Sequence, residues 1–397
     1  MSTPYSVYGI GDIDHRNYNF NTGMGYTGIG LKTSLFSSGN NPASAAGLEK
    51  SFFMVNLDAA GRMVSYHGNS IDATNTNNQD FTVKKASAAI KFNKLWASGI
   101  GLKQFSSVNY KFQSTKPIEG SSDTYLLNYN GDGGLSEYYW NNAFAIGKHL
   151  SAGVTASFIA GPINQTETII DNSGGTIESK RRDYYGNGRL VYGLIYSGNL
   201  SKTWNVSIGA TFANITKMNY ERTLTVTQNS TTIIDEQFLK YTNFSLPRSY
   251  GTGIAFSNTN SSNTKVTTFV ADYSFDEWSS LNIKGAGWSL VNSNRISAGA
   301  EFSSIKKTLH GGMQRNSIQF GGFLNNSYLK VNNYQINEWG VTTGITSSLR
   351  GGMRIGASLE AGVRGTSQAN LIKENYIQLN LSFLYLDFFN SKGRRYD

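Results

Sequence analysis

Between Arg354 and Arg364 the chain alternates without a break. Ile355, Ala357, Leu359, Ala361 and Val363 hold one parity, and Arg354, Gly356, Ser358, Glu360, Gly362 and Arg364 hold the other. A strand sends successive side chains to opposite faces, so this segment has one wholly apolar face and one hydrophilic face with charges of both signs. The same split recurs from Trp204 to Phe212 and from Ile377 to Phe383. Soluble sandwiches also alternate. Repetition down to the C-terminus, with oil on one side and water on the other, is the demand of a transmembrane β-barrel with a polar lumen. The register sends Ile355, Ala357, Leu359, Ala361 and Val363 to lipid, and Arg354, Ser358, Glu360 and Arg364 inward.

From Ser51 onward the pattern predicts strands at about 50–68, 82–93, 97–112, 139–149, 151–163, 184–198, 203–225, 247–258, 264–275, 294–304, 317–331, 335–348, 353–364 and 375–389, about 14 in all. Polar stretches from Asn69 to Asp80, Ser114 to Gly134, Pro162 to Arg182 and Thr225 to Thr242 read as extracellular loops, and Ser197-Gly198-Asn199-Leu200 as a short periplasmic turn. Residues 1–48 differ from the rest. They are rich in Gly and Asn and hold neither period, yet Tyr5, Tyr8, Phe20, Met24, Tyr26 and Leu31 make them too apolar for a free tail. So long a non-periodic segment is expected to pack against another element, and a barrel lumen offers one. The fold class is therefore all-β: a transmembrane antiparallel barrel at 49–397 with an N-terminal plug at 1–48.

Composition narrows this further. No stretch of the 397 residues approaches the roughly 20 continuous apolar residues of a spanning helix. A mean hydropathy of −0.34 suits a chain whose apolar residues take alternate positions. The 23 Tyr and 22 Phe would supply interfacial girdles. With no Cys, disulfides and thiolate metal sites are out. The net charge of +9 is scattered, its tightest clusters being Lys180-Arg181-Arg182 and Arg394-Arg395, so contact with lipopolysaccharide phosphates is a better reading than nucleic acid. Met1-Ser2-Thr3-Pro4-Tyr5 has no basic n-region and no apolar h-region, so the sequence reads as a mature form.

Three motifs carry little chemistry. Gly23-Met24-Gly25-Tyr26-Thr27-Gly28 fits G-x-G-x-x-G, but no buried strand precedes it and no helix follows, so its glycines read as close backbone packing. Asn128-Tyr129-Asn130-Gly131-Asp132-Gly133 starts like a calcium loop but has Tyr139 where the bidentate Glu belongs, and reads as a tight turn. His15, His67, His149 and His310 show no metal spacing. The chain reads as no enzyme, with no catalytic residue, metal or cofactor.

A barrel of this size behind a Gly-rich segment that ends in Asn41-Pro42-Ala43 resembles the FadL-like outer-membrane transporters. The matching pieces are Gly23 to Gly30, Asn41-Pro42-Ala43-Ser44, Leu246-Pro247-Arg248, and Ala271-Asp272-Tyr273 with Trp278. Pro4 to Asp12, Gly131 to Leu135 and Gly365 to Tyr376 look like the Bacteroidota branch. The resemblance implies a Gram-negative outer-membrane location, a hatch inside the lumen, and passive uptake of a hydrophobic or amphipathic, fatty-acid-like molecule that leaves sideways at a kinked strand. Hatch residues Tyr5, Tyr8, Phe20, Met24, Tyr26, Leu31, Asn41, Pro42 and Ala43 are the candidate site. No kink is evident, though Gly99 and Gly101 are the available positions. Related barrels imply an alternative, a non-transporting subunit docked in an outer-membrane complex such as a type IX secretion shuttle or a barrel-assembly accessory. Transport calls for a continuous apolar cavity; docking calls for an occluded lumen.

Overall fold

The computed structural model describes residues 3–33, 39–49, 52–68, 76–117, 120, 124–170, 174–307, 313–349 and 351–388. Fourteen antiparallel strands close into a barrel. They are β1 (Phe52–His67), β2 (Asn77–Lys91), β3 (Trp96–Gln104, continued by Ser106–Pro117), β4 (Thr124–Gly133, continued by Ser136–Ile146), β5 (Leu150–Ile170) and β6 (Thr176–Asn199). Then follow β7 (Trp204–Ala213, continued by Thr216–Gln228), β8 (Thr231–Leu246, continued by Ser249–Thr259), β9 (Lys265–Asp276), β10 (Ser293–Lys307), β11 (Met313–Val331), β12 (Tyr334–Ser348), β13 (Met353–Arg364) and β14 (Lys373–Phe388). Sixteen residue pairs from Phe52↔Phe388 to His67↔Lys373 seal the seam between β1 and β14. Closure leaves no lipid-facing edge with unpaired backbone along that seam, which hydrocarbon would penalise heavily.

The alternation sets the faces as the sequence requires. On β13 Ile355 and Leu359 are exposed while Arg354, Ser358, Glu360 and Arg364 are buried, and on β12 Trp339, Val341 and Ile345 face out over buried Glu338, Thr342 and Thr346. An apolar outer belt over a polar interior is a membrane barrel turned correctly for its solvent. Among the described residues no helix is long and apolar enough to cross a membrane.

Three expectations fail. The proposed loops 114–134, 162–182 and 225–242 are mostly strand: β3 and β4 run on to Pro117 and from Thr124, β5 to Ile170, β6 from Thr176, and β7 and β8 meet at a two-residue tip. Asn77–Asp80 likewise belongs to β2. Apart from Leu127 and Ile163, most side chains in these strand ends are half-exposed or exposed on both parities, so alternation fades although pairing continues. The Asn128–Gly133 segment is strand rather than a turn, and the backbone breaks only after it, at Gly134 and Leu135. Gly99 and Gly101 lie inside an unbroken part of β3; the break comes at Phe105.

That break has companions at one level of the wall. Gly134-Leu135, Asn214-Ile215 and Pro247-Arg248 interrupt β4, β7 and β8, and residues 187–190 of β6 lose their partners on β7 between the registers Gly186↔Asn219 and Val191↔Ala213. Above this line the upper parts of β3, β4, β5, β6, β7 and β8 form a six-stranded sheet projecting from the rim.

Candidate functional site

The N-terminal segment lies against the inward face of the strands. Glycine permits the contact. A Cβ on Gly321 would stand 2.3 Å from the carbonyl carbon of Met24, and one on Gly25, at φ +69°, would stand 2.6 Å from the Gly322 oxygen. The G-x-G-x-x-G run is thus a backbone-on-backbone passage, with no nucleotide role.

The polar middle of the lumen is bound to this segment side chain by side chain. Arg16 donates to Glu360 from Nε (3.2 Å) and Nη2 (2.8 Å), pairs with Glu338, and donates to the Tyr376 hydroxyl at 3.0 Å. All are buried. The Tyr26 hydroxyl donates to Glu360 and accepts from Asn380 Nδ2 (3.0 Å) and Gln378 Nε2 (3.2 Å). Those three partners hold Tyr26 at φ +63°, a conformation costing a non-glycine residue about 1–3 kcal/mol. Asp272 accepts the backbone N–H groups of Gly28 (2.6 Å) and Ile29 (3.0 Å), Gln319 donates to the Phe20 carbonyl at 2.7 Å, and Arg364 pairs with Asp12 at 2.7 Å. A buried charge left without its partner is costly, so these contacts act as a set that is satisfied only when the segment is seated.

The candidate residues fall into three groups. Asn41, Pro42 and Ala43 form the corner near the turn end of the barrel. Asn41 Nδ2 donates to the carbonyls of Ile29 (2.9 Å) and Leu194 (3.0 Å), its Oδ1 caps Ala43 N at 3.0 Å to open the 3-10 turn Pro42–Gly47, and Asn141 on β4 donates to the Pro42 carbonyl at 3.2 Å. Beside them lies a small cavity of about 60 Å³ with a mixed lining, Lys85, Lys103, Glu137 and Tyr139 on one hand and Ala45, Met54, Ala89 and Ile100 on the other. Phe20, Met24, Tyr26 and Leu31 occupy the middle: Phe20 lies under the Arg354 guanidinium at 4.9 Å, Tyr26 meets Phe323 edge to face, and Met24 and Leu31 pack on Ala255 and Val270.

Tyr5 and Tyr8 belong to the third group, at the opposite end. Tyr5 donates to the Ile372 carbonyl at 2.6 Å, and burial pushes its hydroxyl up to about 12. The Tyr8 ring lies 5.6 Å from that of Trp288. Both join the largest apolar cluster of the molecule, with Ile10, Ile13, Val108, Leu135, Ile163, Met218, Tyr328 and Leu329 among its members. The cluster is packed and occupies the lumen at the level of the wall breaks.

At the break in β3 the wall itself changes partner. Lys85 to Lys91 of β2 pair with β3, but Asn77 to Val83 pair only with β1, and Lys84 between them is a bulge. The upper part of β3 turns away and pairs instead with the N-terminal segment: Asp12 and Ile13 oppose Ser107 and Ser106, Asp14 N donates to the Phe105 carbonyl at 3.0 Å, and Thr3 N to that of Asn109 at 3.2 Å. Lys84 bridges the parting, 2.6 Å from Gln104 and 3.5 Å from Asp14. Among the described pairings the barrel is unsealed here, and residues 3–14 stand in the parting. Sequence patterning reveals neither this nor the Arg16 clamp, although inward parity places Glu360 and Arg364 in the lumen. Arg16 lies in a segment without a period, so its partner leaves no trace in spacing.

Of the histidines, His15 is half-buried beside the clamp and His67 and His149 are exposed; His310 lies outside the described residues. Among the described residues no group of His, Asp and Glu could hold a metal.

The family model described as BamG matches residues 1–397. No curated protein matches the chain. Among solved structures, the toluene transporter TodX of P. putida aligns at 15% identity over 95% of this chain and 100% of that one, with a TM-score of 0.61. A FadL homologue of Pseudomonas aeruginosa aligns at 9% over 96% and 100%, TM-score 0.61, and the monoaromatic hydrocarbon channel CymD at 14% over 92% and 96%, TM-score 0.57. At these identities the likeness is one of fold.

Proposed function

The chain belongs to the BamG family, and we propose that it is a Gram-negative outer-membrane barrel, here in a closed state, that admits hydrophobic or amphipathic small molecules by passive uptake. One observation carries the reading: the apolar cluster holding Tyr5, Ile13 and Val108 adjoins the parting between β2 and β3. An amphiphile moving along that cluster would reach lipid without entering water, which would cost it roughly 0.8 kcal/mol per methylene. The hydrocarbon transporters of like fold support an apolar cargo. On this reading residues 1–48 are a hatch, with Tyr5, Tyr8, Phe20, Met24, Tyr26 and Leu31 its wall contacts and Asn41-Pro42-Ala43 its hinge. No side chain is assigned a catalytic role, and the outer belt meets membrane lipid, with lipopolysaccharide at the loop end.

A second reading is favoured by a different feature. The Arg16 clamp and the Asp272 and Gln319 contacts cross the middle of the lumen, and the cavity at the Asn41-Pro42-Ala43 corner is small, which suits a static cork in a subunit docked within an outer-membrane complex. Uptake of a fluorescent hydrophobic probe separates the two. Cells with the intact protein should take up probe faster than a null strain, and removal of residues 4–36 should change the rate while the barrel still assembles. Equal rates in all three strains, with copurification of a larger complex, would install the docking role instead.

A further inference from the structure

The excess positive charge is not spread over the molecule. Six connections join β2 to β3, β4 to β5, β6 to β7, β8 to β9, β10 to β11 and β12 to β13 at one end of the barrel, residues 308–312 and 350 of the last two lying outside the described residues. Each has a basic residue in it or beside it: Lys94, Lys148, Lys202, Lys265, the pair Lys306 and Lys307, and Arg350. Not one of the stretches 91–96, 146–150, 199–204, 259–265, 305–313 and 348–354 contains Asp or Glu. At the opposite end the connections 68–76, 118–123, 171–175 and 277–292 carry Asp72, Glu119, Asp123, Asp171 and Glu277 against one basic residue, Lys284. Lys94, Lys148, Lys202, Lys265 and Lys306 are all exposed, and none takes part in an ion pair among the described residues.

What meets these lysines is indicated by their neighbours. Leu95 and Leu200, inside two of the same turns, are 60% and 64% exposed, and Leu150 and Leu349 flank two more. A leucine held so open beside a lysine suits neither bulk water nor a polar protein surface. It suits the boundary of a leaflet, where the apolar side chain dips into acyl chains and the ammonium stays at headgroup level. At that depth an ammonium lies within a Debye length of the lipid phosphates.

We propose that the turn end of the barrel is a binding rim for anionic phospholipid in the leaflet it faces, with Lys94, Lys148, Lys202, Lys265 and Lys306 as its contacts. The rim selects headgroup charge and fixes the barrel's depth and orientation, and it does so whether the lumen transports or the barrel docks.

The test is lipid retention by the full-length protein. The protein is reconstituted in phosphatidylcholine vesicles containing about one-fifth phosphatidylglycerol, extracted in mild detergent, and its bound lipid measured by mass spectrometry, with an enrichment of about three-fold over the bulk share expected. The variant with all five lysines changed to Gln should hold phosphatidylglycerol at its bulk share while keeping its heat-dependent gel mobility. Should that variant not fold, the wild type decides, since its enrichment must vanish in about 0.5 M NaCl, where screening reaches about 4 Å. Enrichment equal in wild type and variant, or absent from the wild type, overturns the proposal. So does retention of lipopolysaccharide, rather than phosphatidylglycerol, that depends on these lysines. Wild type that shows no lipid preference but binds immobilised polyglutamate through them would assign the rim to an acidic protein surface.

Discussion

Adjacent residues on one strand separate the two solvents of this barrel. Leu359 is half-exposed on the outer belt, while Ser358 is buried and donates to Thr22 Oγ1 at 2.9 Å. Leu359→Arg places a charge in hydrocarbon at about 2–4 kcal/mol near the bilayer midplane, so the fraction that acquires heat-dependent mobility should fall sharply. Ser358→Arg leaves the belt intact, and insertion should be near normal. It is not silent, because the lumen beside Ser358 is filled: the longer side chain must displace Thr22, and the segment should become open to trypsin at Arg16. Poor insertion of Ser358→Arg with good insertion of Leu359→Arg would invert the register.

His15 gives the seated segment a pH dependence. Burial lowers its pKa, with Arg295 acting the same way, while Asp276, Asp12 and Asp14 oppose the shift without cancelling it. The folded state therefore prefers the neutral ring, whereas a released segment takes up a proton below about pH 6.5. With the released form binding more protons, the seated form loses stability as pH falls from about 6.5 towards 5. Hydrogen exchange over residues 3–31 should be faster at pH 5.5 than at 7.5 after correction for intrinsic rates, and His15→Asn should flatten the difference. Asp14 does not compete in this window: burial alone would raise its carboxyl, but Lys84 and Arg16 outweigh that and hold it below its ordinary range. A slope unchanged in His15→Asn would place the titration elsewhere.

At the level of elements, the sheet that projects above the wall breaks is built by pairing rather than by burial in lipid. Thr223 opposes Phe238 near the tip of the β7–β8 hairpin, and Ile233 and Phe238 are exposed there. Removing residues 223–238 and joining Arg222 to Leu239 through Asn-Gly, a dipeptide suited to a two-residue hairpin, should leave a barrel of normal heat-dependent mobility. Loss of the folded band would make the tip part of the barrel's own stability. The same physics decides what could be read in advance. Strands such as Arg354–Arg364, with lipid on one side and the lumen on the other, were legible because each residue has one of two solvents. The stretches 124–133, 162–170, 176–182 and 231–242 read as loops because most of their side chains are exposed or half-exposed on both parities and alternation fades. The break at Phe105 was invisible for another reason. It rests on residues 3–14 pairing in place of β2, a long-range exchange of partners that no local Gly or Pro need mark.

Taken whole, the molecule is a wall, parted only between β2 and the upper part of β3, around a segment that satisfies the wall's inward charges. Glu338, Glu360 and Asp272 each find a partner on residues 14–31, and Lys85 donates to the Tyr18 carbonyl at 3.2 Å. Remove residues 3–40 and those groups face a void wide enough for water, since a barrel of 14 strands exceeds the roughly eight whose interior side chains alone can fill. Hydration would then replace the lost partners, as it does in open porins, so the wall, held by its strand pairing and outer belt, should still fold and shift on heating. It should also leak. In planar bilayers the full chain should show no steady conductance, and the deletion should open discrete ion-conducting steps. Both functional readings require this result, because a hatch and a cork seal the lumen alike. Steps of equal size from the intact protein would mean that residues 3–40 do not seal it, and the Arg16 clamp would lose its standing as the closure of the barrel.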